Sequence, residues 1–326
     1  MTSAMTKNEI KFKWNKKGLI FKADNNYPWM YSHTQCPFPV DFGDFIRLYF
    51  ATREKYENGQ VRAYGGFVDL DRHNLNKVIR ISDKPLMDLG GIGEFDEHGS
   101  MPISVVKHND EYRLYYVGWS RHYSVPYDWE IGLAISKDGE RFTKVGKGPL
   151  LGPTVNEPYL NSTPVVYKFA DDDWHMFYHT GIRWLKGGEK LESQYKIVYA
   201  HSKDGINWDR NGIPVIPEKV ENECQTTPAM IKIDDTYHVF FCYRHGLDFR
   251  FNKEKAYRIG YAWTKDLVHY ERDDSKVGID VSEDGFDSEM LEYPHIKEID
   301  GKYIMFYSGN YFGKEGMGYA ELEIIK

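Results

Sequence analysis

The chain has 326 residues, 41% of them hydrophobic and 16% aromatic, and a formal net charge of −7. A chain of this size can bury roughly 75% of the surface it exposes when unfolded, so it needs no covalent staples. The acidic balance carries no basic stripe of the kind nucleic-acid binders show, and no apolar run reaches the roughly 18 residues a membrane helix needs.

Three cysteines, Cys36, Cys224 and Cys242, lack zinc-type spacing. They argue against a disulfide framework or structural zinc and fit a reducing compartment. The first nine residues hold no apolar signal core. A cytoplasmic protein without nucleic-acid or membrane partners is expected, and its oligomeric state is not legible.

In chain order, residues 12–20 form a first strand whose pattern recurs at 142–151 and 208–215. Five prolines then recur, Pro39, Pro102, Pro164, Pro228 and Pro294, at separations of 63, 62, 64 and 66 residues. A fixed period of this length marks a repeat architecture. After each proline an apolar run, an Asp/Asn/Gly turn and an aromatic run follow, as in 103–106, 107–110 and 114–117 or 165–167, 171–173 and 176–178. This is hairpin chemistry, because Asp, Asn and Gly tolerate the backbone angles of a tight reversal.

A third run follows at 131–134, 197–200, 259–262 and 317–320. In three units a Ser/Thr-Lys-Asp turn and an aromatic at Phe142, Trp208 or Tyr270 begin a fourth strand. Four strands per repeat indicate propeller blades. The expected fold is all-β, one five-bladed β-propeller over 1–326. Its blades are near 31–96, 97–158, 159–221, 222–288 and 289–326, the last completed by residues 10–22, which close the ring and protect open edges. Irregular loops are expected at 90–98, 184–193 and 247–255.

First-strand starts and second-strand ends share one face of such a ring, because the two strands are antiparallel. That face collects His33, Gln35, Glu97, His98, Asn161, Glu223, Glu289 and Glu292 before the first strands. It collects Trp119, Arg121, His179, Arg183, Arg244 and His245 after the second strands. Trp29 and Trp119 are candidates for a sugar-stacking platform, while Trp14, Trp174 and Trp208 occupy repeated core positions. Arginines converging there would favour an acidic, phosphorylated or nucleotide-linked sugar, because guanidinium forks bind carboxylate and phosphate bidentately.

The segment Glu292-Tyr293-Pro294-His295, with the following 301–308 run, resembles the part of glycoside hydrolase family 43 that carries the general acid. The pair Glu223-Cys224 is similar to the Glu-Cys pair of the invertase group, family 32. The resemblance to these five-bladed propeller glycosidases, the arabinofuranosidase/xylosidase and invertase type, covers nearly the whole chain as architecture. It implies Glu223 or Glu292 as general acid, and it implies carbohydrate or sugar-phosphate ligands. Relatives sometimes hold calcium in the central channel, yet no spacing here predicts a metal, and no cofactor is expected.

The aspartates of the family pattern are absent at Gln35-Cys36-Pro37 and Ser162-Thr163-Pro164, which leaves Asp24 or Glu97 for the base. Two readings stand: an enzyme hydrolysing or transferring a glycosyl group by carboxylate acid/base catalysis, and a non-catalytic sugar or sugar-nucleotide binder. A pocket with two facing carboxylates would favour the first. One acid among Arg and His would favour binding or a different chemistry.

Overall fold

The computed structural model describes residues 10–55 and 61–325, so the reading of the first nine residues lies outside it. Strand β1 (Lys11–Phe21) comes first, followed by the short β2 (Asp24–Tyr27). The first repeat unit is β3 (Met30–Asp41), β4 (Phe45–Arg53), β5 (Ala63–Asp71) and β6 (Asn74–Ile81). The second is β7 (Gly99–His108), β8 (Glu111–Ser120), β9 (Asp128–Ser136) and β10 (Thr143–Lys144). The third is β11 (Asn161–Ala170), β12 (Asp173–Gly187), β13 (Lys190–Ser202) and β14 (Trp208–Pro214). The fourth is β15 (Cys224–Ile233), β16 (Thr236–Arg244), β17 (Arg258–Thr264) and β18 (Glu271–Arg272). The last holds β19 (Glu292–Ile299), β20 (Lys302–Ser308) and β21 (Met317–Ile325), and β1 pairs antiparallel with β21.

Each unit is an antiparallel meander. The first two are joined into one sheet by a single parallel bridge between Ala63 and Gly99. No helix among the described residues is long and apolar enough to cross a membrane.

Residues 184–193, expected as an irregular loop, instead extend the β12–β13 hairpin, with Trp184 opposite Ser193 and Gly187 opposite Lys190. Trp184, Leu185 and Leu191 are strand formers that fit a pleated ladder, and a Gly188 at φ 62° makes the turn.

Apolar faces of consecutive units are buried against each other. Tyr49 and Phe67 meet Leu114 and Phe142; Tyr115 and Ile131 meet Val166 and Trp174; Phe177 and Ile197 meet Val239 and Phe241; Ile231 and Phe240 meet Met305 and Tyr307. A fifth cluster joins Ile304 and Phe306 of the last unit to Ile46 and Leu48 of the first. Burying each such side chain contributes about 1.5–3 kcal/mol. A sixth cluster takes Cys36, Ile103, Val165, Cys242 and Tyr293, one from each unit, all on or beside first strands except Cys242.

Two devices repeat. In the first, Cys36, Thr163, Thr227 and Tyr293 adopt φ of 54°, 47°, 47° and 54°, each directly before a proline, where the ladder slips register. Proline has no N–H to give the ladder and therefore sits at a bulge. A left-handed φ at a β-branched or bulky residue is strained, and strain of this kind persists where the surroundings over-determine it. The bulge falls at Pro37, so Pro37, not Pro39, is the first unit's counterpart of the other four prolines.

In the second device a buried acid precedes the first strand and pairs with a base on the fourth. Asp96 meets Lys144, Glu157 meets Arg210, and Glu223 meets Arg272, at N···O distances of 2.5, 2.5 and 2.6 Å. In the last unit Asp287 meets Lys16 of β1 at 2.8 Å. A second-strand tyrosine donates to three of these acids: Tyr116 to Asp96, Tyr178 to Glu157 and Tyr307 to Asp287. In the fourth unit that tyrosine is Phe241, and Gln225 Nε2 donates to Glu223 instead at 2.6 Å.

Candidate functional site

First-strand bulges and second-strand ends deliver side chains from all five units to one cavity of about 360 Å³. Its polar wall is Gln35, Arg53, Arg121, Ser162, Thr163, His179, Thr226, Arg244 and Arg250. Its aromatic wall is Trp119, Tyr127, Trp129, Tyr195, Phe249, Tyr257, Tyr293 and Phe312. An apolar wall with a few convergent polar groups is how ligand sites are built. No carboxylate is among these lining residues.

Arg244 is 3% exposed, yet its guanidinium finds no carboxylate among its hydrogen-bond partners. Its Nε donates to the Tyr257 hydroxyl at 3.1 Å, its Nη1 donates to the backbone carbonyls of His245 and Gly246, and its carbon lies 3.6 Å from the centre of the Phe249 ring. Arg53 Nη2 donates to Gln35 Oε1 at 3.1 Å, and burial pulls this guanidinium below its ordinary range. Arg250 is held by both oxygens of Glu192 and lies over Phe249 and Phe312. Arg121 is exposed at the wall. A guanidinium buried on aromatic rings and backbone carbonyls keeps its charge and retains capacity for an anion.

His179 is buried, with Nδ1 between the Thr163 and Thr226 hydroxyls at 2.9 and 2.8 Å, and its ring stacks on Tyr195 at 4.1 Å. Burial, with Arg244 adding to it, lowers its pKa to about 3, so the imidazole is neutral. Its Nε2 has no partner.

Glu292 lies behind this wall, next to Tyr293, and is fully buried. Burial raises its carboxyl well above the usual range, and the Phe312 backbone amide and the guanidiniums of Arg244, Arg250 and Arg53 only partly oppose this. Neither carboxylate oxygen completes a hydrogen bond of good geometry. Burial of a carboxyl in that position disfavours its charged form.

Of the residues expected at the site, Gln35, Trp119, Arg121, His179 and Arg244 line the cavity. Glu223 does not: Arg272 Nη1, Gln225 Nε2 and the backbone amides of Lys219 and Val220 satisfy its carboxylate, which makes it one of the four repeated structural acids. Glu97 accepts from Gly93 N in a surface turn, and Asp24 is exposed on the edge strand β2. Neither is positioned as a base.

Trp29 stacks on Tyr27 and packs against the cluster joining the last unit to the first, so it serves packing instead of sugar stacking. His33 is held by Ser32 Oγ, and burial, then Arg53 and Lys314, lower its pKa to about 2. His98 packs on Trp119 from outside the lining. Asn161 donates to Gly152 O, and Arg183 to Gln194 and Asn222. His245 bonds Lys255 O through its backbone amide, and Glu289 accepts from Tyr311. These last four lie outside the lining as well.

Sequence reasoning missed Trp129, Tyr195 and Tyr257, although the signal is present. Each stands two residues before the isoleucine that opens the apolar run of a third strand, Ile131, Ile197 or Ile259. Third-strand starts share the face of second-strand ends, so the same antiparallel argument reaches them. Calcium takes six to eight oxygen ligands, usually with carboxylates; a wall of arginines, rings and three hydroxyl side chains does not fit it.

The fold is that of the propeller glycosidases and mannoside phosphorylases. A solved glycoside hydrolase superposes with a TM-score of 0.73 at 19% identity, covering 96% of this chain and 92% of its own. A β-1,2-mannobiose phosphorylase from Listeria innocua does so with a TM-score of 0.67 at 12% identity, covering 95% and 96%.

The chain belongs to the same family as the uncharacterized protein Rv1502 of Mycobacterium tuberculosis, 31% identical over 312 residues that span 95% of this chain and 99% of the other. A β-1,2-mannobiose phosphorylase of a Thermoanaerobacter species is 27% identical over 178 residues, 51% of this chain and 54% of its own. No family model matches.

Proposed function

We propose that the protein is a glycosyl-acting enzyme that transfers a glycosyl unit, of mannoside type, between a glycoside and phosphate. One observation carries this reading: Arg53, Arg121, Arg244 and Arg250 converge on a cavity that no carboxylate lines among the described residues.

Inverting hydrolysis needs an acid and a separate carboxylate base about 6.5–9.5 Å apart to activate water. Phosphorolysis needs no such base, because phosphate is itself the nucleophile. A phosphate oxygen bonds to the anomeric carbon, the glycosidic C–O bond breaks, and the departing sugar oxygen takes a proton. Arg244 and Arg53 hold the phosphate charge, and the rings of Trp119 and Trp129 face the sugar. Glu292 is the acid in this reading. It stands behind the wall, so its proton reaches the substrate through a lining group, the adjacent Tyr293 being the candidate. The names of the mannobiose phosphorylase relatives support the substrate class.

In the same reading the five antiparallel units are the blades of a five-bladed ring over 1–326, with β1 completing the last blade. The apolar cluster between the last and first units and the Lys16–Asp287 pair support closure. A cytoplasmic location is supported by three buried cysteines that stay as free thiols.

The test is to incubate the protein with β-1,2-mannobiose with and without inorganic phosphate. Phosphate-dependent release of mannose with formation of mannose 1-phosphate is expected. The Arg244→Lys variant keeps the charge but loses the fork, and its KM for phosphate rises roughly 10–100-fold, the worth of one charge-assisted hydrogen-bond pair. Sugar release indifferent to phosphate would replace phosphorolysis with hydrolysis.

A further inference from the structure

Remote from the cavity, strands β12 and β13 bring Asp173, His175 and His201 together on one sheet face. His175 and His201 are directly opposed across the antiparallel ladder, and Asp173 lies two residues before His175, on the same side of the pleat. Nε2 of His175 and Nε2 of His201 each lie 3.0 Å from the same oxygen, Oδ1 of Asp173. One ligand atom from each of the three residues lies within 4.8 Å of those of the other two.

We propose that Asp173, His175 and His201 form a binding site for a divalent transition metal of the zinc class. Tetrahedral zinc sits about 2.0–2.1 Å from nitrogen and oxygen ligands, which puts those ligands roughly 3.3 Å from each other. The two 3.0 Å separations are within a few tenths of an ångström of that spacing. Two imidazoles and a carboxylate suit zinc by donor type, and three protein ligands leave the fourth position to water.

A second observation points the same way. The Nδ1 of His175 is engaged by the Tyr199 hydroxyl at 2.7 Å, which fixes the ring and directs Nε2 toward Asp173. That buried Nε2 makes no aligned hydrogen bond, although His201 Nε2 does. A ligating histidine anchored through its other nitrogen is the usual outer-shell arrangement.

Asp173, His175, Phe177 and His179 alternate along β12 without a register slip, so the cluster is roughly 13 Å along the strand from His179. The metal would brace the open end of a hairpin whose middle supplies His179 and Tyr195 to the cavity. It takes no part in the proposed transfer, and it stands or falls independently of that reading.

The experiment titrates the metal-stripped full chain with zinc in competition with a chromophoric chelator. One equivalent should bind, with a rise in thermal midpoint that saturates at that equivalent. Asp173→Asn and His201→Ala should each weaken binding at least tenfold, and Tyr199→Phe should weaken it roughly 10–100-fold as an outer-shell change. Asp173 and His201 have side chains more than a third exposed, so both variants should fold, which their unfolding curves without zinc will check. Absence of zinc uptake by the wild type, or uptake of equal affinity in the Asp173 and His201 variants, overturns the proposal.

Discussion

Lys16 of the first strand reaches Asp287 at the entrance of the last unit, with Nζ 2.8 Å from Oδ2. The pair is the fourth copy of a contact that otherwise joins an acid and a base of the same repeat unit: Asp96 with Lys144, Glu157 with Arg210, Glu223 with Arg272. The beginning of the chain therefore does for the last unit what the fourth strand does for the other three.

Breaking such a pair strands a buried charge, which costs about 3–5 kcal/mol when nothing else compensates. Lys16→Ala should cost somewhat less, roughly 2–4 kcal/mol, because Tyr307 still donates to Asp287 and Lys16 is itself partly exposed. Glu223→Gln should fall in the same range, since Asp274 keeps Arg272 partnered. Both losses are read from urea unfolding midpoints. Turnover per folded molecule should be unchanged in Glu223→Gln; a collapse of turnover with intact folding would return Glu223 to the catalytic role.

Glu292 should behave in the opposite way. Its folded-state pKa is raised above the unfolded value, so its contribution to stability is whole below about pH 4.3 and is lost as pH rises toward the folded pKa. Glu292→Gln removes that slope. The variant should be at least as stable as wild type at pH 8 while turnover falls roughly 10²–10⁴-fold, the usual worth of a general acid. Parallel unfolding curves at pH 5 and pH 8 and a turnover assay check both halves. Wild-type turnover in a folded variant removes Glu292 from the mechanism.

His179 gives an acid-side signature. Its pKa is lowered to about 3 in the folded chain, so the unfolded chain takes up the proton first. Its contribution is present above about pH 6.5 and is lost as pH falls from there toward 3, at up to ~1.4 kcal/mol per pH unit. His179→Gln should flatten the acid limb of a stability–pH profile by that slope. His33 and His295, lowered to about 2 and about 3, and His238, lowered to about 4, keep the remaining limb steep. A profile unchanged by the substitution would mean that His179 is protonated in the native state.

Much of the strand order was readable because periodicity is a local property. Apolar and aromatic runs around Asp and Gly turns specify hairpins, and the interval between prolines specifies their recurrence. The first unit was misaligned by two residues, since Pro37 and Pro39 are both proline and only the backbone, through the φ of Cys36 and the register slip after Gln35, distinguishes the bulge. Among the acids, Glu223 and Glu292 are both upstream of a first-strand proline, five residues before Pro228 and two before Pro294. What separates them is whether a fourth-strand arginine arrives: Arg272 does for Glu223, across 49 residues, and no such base pairs with Glu292.

The sequence alone therefore determined the repeat, the hairpins and the face on which the chemistry gathers, because these follow from side-chain period and turn residues. Only the tertiary structure decided which charges are spent on holding units together and which remain for a ligand. Partnership depends on groups tens of residues apart, and burial, which raises the Glu292 carboxyl and keeps the His179 imidazole neutral, depends on every unit packed around them.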